Sequence, residues 1–218
     1  MRTAPFRFSR PTERTFVRAS TGNIKMILSR STSLKNINAT HYENIPARPD
    51  DAKKHKSLVH ATIETPQGSP HKYALDAQLG IIQLREVLPH GMKWPFDYGF
   101  IPQTRGDDGD PLDVLFLLEA PTFSGCLMRA RILGVVKHTQ DGVRNDRFLS
   151  APERMPGCSL ATDKYDDIDD VPKSTLKHIE SFLTEYSERE GHEIKQLGVG
   201  NAKQAISLIK DGIKAYKR

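Results

Sequence analysis

Asp108-Gly109-Asp110-Pro111-Leu112-Asp113 places three carboxylates within six residues, immediately ahead of the apolar run Val114-Leu115-Phe116-Leu117-Leu118. Two carboxylates about 4 Å apart repel by roughly 4 kcal/mol at an effective dielectric of about 20. A hard divalent cation removes that cost, so the cluster points to metal-assisted chemistry. The competing reading is a solvated Asp-rich turn, the commoner outcome for such a run taken alone. An EF-hand is excluded, because that loop needs glycine at its sixth position, where this run has Asp113. Gly109 and Pro111 make the run a turn, and the apolar strand behind it supplies a rigid support.

The elements that must hold this turn are β first and α last. Residues 58–64, 72–76, 80–85, 114–118, 127–136 and 147–151 read as strands, the second and third forming a hairpin. Between them, 94–102 is rich in Pro and aromatic residues and is expected to be an ordered loop packing rings. Leu176, Ile179, Phe182, Leu183 and Tyr186 recur at helical spacing, and Asn201 can cap a second helix carrying Ala202, Ala205, Ile206, Ile209 and Ile213. Strands followed by helices predict an α+β fold, with the strands curled into a barrel and the helices packed outside.

The net charge of +5 is unevenly spread. Residues 1–57 hold 12 Lys/Arg against 4 Asp/Glu, a balance of +8, and the remainder carries −3. That basic, acid-poor stretch without periodicity is expected to be a disordered extension, with the folded domain over 58–218. A transit peptide, which would direct the chain to an organelle matrix, and a start set too far upstream with Met26 as the true one are equal rivals. Without the first of these, a cytoplasmic protein is expected. No recognisable nucleic-acid module is present, and no stretch approaches the 18 apolar residues of a membrane span. Cys126 and Cys158 lack metal or redox spacing and read as reduced thiols.

Ile63-Glu64-Thr65-Pro66, Lys72-Tyr73, Pro95-x-x-Tyr98-Gly99-Phe100-Ile101-Pro102 and the Asp turn follow one another in an order that resembles the soluble family I inorganic pyrophosphatases. The resemblance runs from about Leu58 to Tyr216 and implies an OB-like five-stranded β-barrel flanked by C-terminal helices. It implies hydrolysis of pyrophosphate to two phosphates with several Mg2+ ions per site, in a homo-oligomer. By resemblance, Asp108 and Asp113 ligate metal, Asp110 is the general base, and Asp146 and Asp141 are further ligands. Lys72, Arg147 and Tyr186 fall at phosphate-contacting positions, with Tyr98 and Glu64 also in the site. Taken singly, each has a plainer reading: Tyr98 and Tyr186 as core aromatics, the others as ordinary strand or loop residues.

Several positions depart from the pattern. Ala74 stands where the family has an acid, Glu86 where it has a phosphate-binding arginine, and Ser187 where it has a lysine. Arg85 could replace that arginine only through a register slip or bulge, since strand neighbours point to opposite faces. In 138–147, a gapless register puts Gln140 and Asn145 at two ligand positions, whereas one deletion puts Asp141 and Asp146 there. The second is favoured because it keeps two carboxylates, with Arg144 or His138 as alternative phosphate partners. These changes leave two other readings: a phosphohydrolase for an organic diphosphate or nucleotide, and a non-catalytic member that binds metal or phosphate.

Overall fold

A computed structural model describes residues 42–53 and 55–217. Strands β1 (Leu58–Thr65), β2 (His71–Asp76), β3 (Ile81–Val87), β4 (Asp97–Ile101), β5 (Leu112–Phe116), β6 (Leu127–Gln140), β7 (Val143–Arg144) and β8 (Arg147–Pro152) precede helix α1 (Lys173–Arg189). Strand β9 (Ile194–Asn201) and helix α2 (Ala202–Tyr216) complete the chain. β1 pairs with β4 and β6, β4 with β5, β5 with β8 in parallel, and β8 with β6. The circuit closes, giving a five-stranded barrel with no free edge among its members and matching the expected α+β, OB-like architecture. β2 and β3 form a separate hairpin, while β7 and β9 extend the pairing of the long β6.

Alternation along the strands divides the core in two. Val114 and Phe116 of β5 join Ile63, Ile132 and Phe148 in one apolar cluster, to which α2 adds Ala205 and Ile209. Leu115 and Leu149 join Trp94 and Tyr98 in the other, roofed by Ile179, Phe182 and Leu183 of α1. Asp113 and Arg147 lie two residues before Leu115 and Leu149, so they share that second face at the strand ends. The Asn201 cap is reciprocal: its side chain accepts from the Gln204 N–H at 3.0 Å, and the Gln204 side chain accepts from the Asn201 N–H at 3.1 Å.

Two expectations change. Residues 97–101 are not loop but the fully buried strand β4, with both prolines outside it. The strand exists because Gly99 lies against β1: a Cβ there would come 1.8 Å from the Thr62 carbonyl oxygen. Strand β9 lacks the apolar run that marks a strand, being mostly exposed and held by its ladder to β6. Upstream of residue 58 the described chain also packs on β1. Tyr42, Ala47 and Ala52 are buried, His60 N–H donates to the Ala47 carbonyl at 2.9 Å, and Arg48 donates to the Leu58 and Lys56 carbonyls. The expectations for 1–41 lie outside the described residues.

Candidate active site

The Asp turn is braced from three directions before any charge is considered. Thr104 donates its hydroxyl to the Ile101 carbonyl and accepts from the Leu112 N–H at 2.9 Å, tying the ends of β4 and β5 together. Arg105 N–H reaches the Gly212 carbonyl of α2 at 3.0 Å. Within the turn, Gly106 N–H donates to the Asp110 carbonyl at 2.7 Å, and Asp110 N–H to Asp108 Oδ1 at 3.1 Å. Gly109 sits at φ +93°, a conformation that costs a side-chain-bearing residue strain and that Gly adopts freely.

Asp108, Asp110 and Asp113 line a cleft of about 500 Å³ that Lys72, Arg85, Glu86, Tyr186 and Arg147 also line, Arg147 directly beside Asp113 in the ladder. Asp113 forms an ion pair with Arg147 at 2.7 Å, and the guanidinium lies 5.8 Å from the Tyr98 ring centre. Lys72 Nζ donates to the Tyr186 hydroxyl at 2.9 Å, which donates in turn to Glu86 at 2.8 Å. Trp94 supports this wall from beneath, 4.8 Å from Tyr98 and 5.3 Å from Tyr186 between ring centres. Thus Tyr98 and Tyr186, which taken singly read as core aromatics, also line the cleft.

The acidic wall resists ionisation. Burial raises the Asp113 carboxyl above the usual range, against the pull of Arg147. Partial desolvation raises Asp108 too, helped by Asp113 and Asp110. Glu64, placed at a bulge of β1 and accepting from the Leu75 N–H at 2.7 Å, is pushed up to about 8 by burial, with Asp113 adding to the effect. His138 is driven down to about 3 by burial and the nearby Arg147 and Arg144, so it faces the cleft neutral.

The Glu64 shift has a measurable sign. Unfolded, this carboxyl loses its proton near pH 4.3, whereas the fold keeps it to about 8. The folded state therefore binds more protons across that window, and stability falls as pH rises through it. Chelator-treated protein is expected to lose thermal stability between pH 5 and pH 8, and Glu64→Gln to flatten that slope, as melting curves at the two pH values would read.

The segment 138–147 is divided between two pockets. Gln140 and Asn145 line the cleft, their side chains 3.5 Å apart, and Asn145 also accepts from Arg147. Asp146 is turned out of it, holding Arg144 Nε at 2.6 Å and the His138 N–H at 3.3 Å beside a neighbouring pocket of about 300 Å³. Asp141 occupies the β6–β7 turn at φ +51° and bonds His192 Nδ1 at 2.6 Å and the Glu193 N–H at 2.9 Å. Asp141 therefore stays away from the Asp turn, whereas Asp146 lines that second pocket together with Asp108 and Asp113. Glu190 and His192 also line it, unforeseen. Glu190 had a signal, lying four residues after Tyr186 on the same helix face.

The Asp turn offers hard oxygen donors, and Asp108 and Asp113 have carboxyl pKa values raised by burial, a set that suits a hard divalent cation. Among the described residues no three His, Cys, Asp or Glu side chains stand close enough to form a finished metal cage. Such a site suits a cation that arrives with waters and phosphate oxygens as its remaining ligands.

A closed barrel bearing a cleft lined by both carboxylates and cations defines the class: an OB-like α+β protein. Residues 61–217 match the family model described as inorganic pyrophosphatase. Inorganic pyrophosphatases of Haloferax volcanii and a Nostoc species are 35% and 34% identical to the chain over 176 and 173 residues. These alignments cover 80% and 79% of this chain, and 93% and 97% of the relatives. The crystal structure of an inorganic pyrophosphatase from Neisseria gonorrhoeae superposes with a TM-score of 0.72 at 29% identity, covering 81% of this chain and 99% of that one. This chain belongs to the inorganic pyrophosphatase family.

Proposed function

We propose that the chain hydrolyses inorganic pyrophosphate to two phosphates, with magnesium held by Asp108 and Asp113. The observation that carries this reading is one cleft lined by the three Asp-turn carboxylates together with Lys72, Arg147 and Tyr186. A divalent cation held there supplies charge neutralisation and a more acidic attacking water. Asp110, exposed at the mouth of the cleft, takes the proton from that water. Lys72 and Arg147 hold phosphate oxygens as the bridging oxygen leaves, and the Tyr186 hydroxyl turns from Glu86 toward the substrate. Trp94 and Tyr98 keep these groups in place by packing. A homo-oligomer and a cytoplasmic setting belong to the same reading.

Phosphate release from pyrophosphate with magnesium is the direct test. Turnover is expected to vanish with excess chelator and to return on adding magnesium, with manganese as a second metal. The amides Gln140 and Asn145, together with Glu86 in the cleft lining, favour a second reading: a member that binds metal or phosphate without turnover. It predicts metal-dependent thermal stabilisation and no phosphate release. Turnover of an organic diphosphate that pyrophosphate does not compete away would instead support a changed substrate.

A further inference from the structure

We propose that Arg85 is a substrate-binding residue, carried into the cleft by a bulge in the β2–β3 hairpin, where it holds a phosphate group on the hairpin side. This rests on the pyrophosphate reading above. In a regular ladder Arg85 and Glu86 would face opposite ways. The ladder is not regular: Lys72 pairs with Glu86 but Tyr73 pairs with Leu84, leaving Arg85 as the extra residue. A bulge of this kind lets two consecutive side chains share a face. Both Arg85 and Glu86 indeed line the cleft.

The charge arrangement on that wall singles out Arg85 as the free cation. The Glu86 carboxylate is engaged by the Tyr186 hydroxyl, which also receives Lys72. Arg85 itself forms no ion pair with any described residue. Asp76 of β2, whose carboxylate Arg85 influences, already accepts the Gln78 and Leu79 N–H groups and the Gln83 side chain. Ala74 contributes only a methyl group to the cleft lining, so at that position of β2 nothing acidic faces the cleft. An exposed arginine is ordinary on a surface. One held by a bulge over a cleft that Lys72 and Arg147 also line is placed for an anion, and its planar fork matches phosphate oxygens bidentately.

The test compares wild type, Arg85→Gln and Arg85→Lys in magnesium-dependent pyrophosphate hydrolysis, with calorimetric binding of methylene bisphosphonate as a readout independent of turnover. Losing charged hydrogen bonds should raise KM and the bisphosphonate Kd by about 10- to 100-fold in Arg85→Gln. A smaller change in kcat, partial recovery in Arg85→Lys and an unchanged melting temperature are expected, since the side chain is exposed. Unchanged KM and Kd in Arg85→Gln, or a loss confined to kcat, overturns the inference and leaves the pyrophosphatase reading standing. Wild-type protein that neither hydrolyses pyrophosphate nor binds the bisphosphonate overturns that reading, and the inference with it.

Discussion

Asp110→Asn is expected to lower magnesium-dependent phosphate release by about 10²- to 10⁴-fold, the usual contribution of a positioned general base. The amide keeps the shape of the side chain and removes its ability to accept a proton. It should do so without unfolding anything, because the Asp110 carboxylate bonds no described residue. The turn is held instead by its backbone, through Gly106 N–H to the Asp110 carbonyl and Asp110 N–H to Asp108. Substitutions at exposed positions of this kind stay within about 0.5 kcal/mol of wild type. The signature is therefore a collapsed kcat with an unmoved melting temperature. A variant that still turns over at the wild-type rate would remove Asp110 from the base role and shift attention to Asp108, the neighbouring carboxylate in the same wall.

Arg147→Ala should show the opposite signature, with stability and activity lost together. The guanidinium is buried, pairs with Asp113 at 2.7 Å and donates to the Asn145 carbonyl at 2.9 Å. Removing one member of a buried pair strands the other, at a cost of about 3–5 kcal/mol. In a domain of this size that lowers the melting temperature by roughly 10 °C. The sign with pH follows from Asp113. Arg147 is what lowers its carboxyl pKa against burial, so without the guanidinium the folded value rises further above the unfolded one. The penalty is then small near pH 4 and grows toward pH 8. Arg147→Lys keeps a cation and should recover much of both losses, though without bidentate geometry. A melting temperature indifferent to Arg147→Ala at pH 8 would mean that the ion pair adds nothing.

Much of the site could be read because its residues sit at strand ends or in a turn, where identity and position are nearly the same information. The Asp turn announced itself by charge repulsion alone, and Lys72, Tyr98 and Tyr186 by their order along the chain. The 138–147 segment could not be settled that way. Preferring carboxylates at ligand positions selected Asp141 and Asp146, yet hairpin geometry put Gln140 and Asn145 into the cleft. Chemical preference at a site cannot override the alternation of a strand whose other residues are already packed. Strand β4 was missed for a related reason: Pro and aromatic content argued for a loop, while Gly99 permitted a contact with β1 that has no local signal.

The linear chain thus determined the strands-then-helices order and the acidic turn, since each depends on residue type and short-range spacing, while Lys72 and Arg147 stood out only through the resemblance to a family. Tertiary structure alone decided which neighbour of each pair faces the cleft. A bulge at Arg85, the closure of five strands into a ring and the docking of residues 42–53 on β1 all rest on pairings between distant segments. A one-residue shift in such a pairing moves a side chain to the other face, and no local propensity records it.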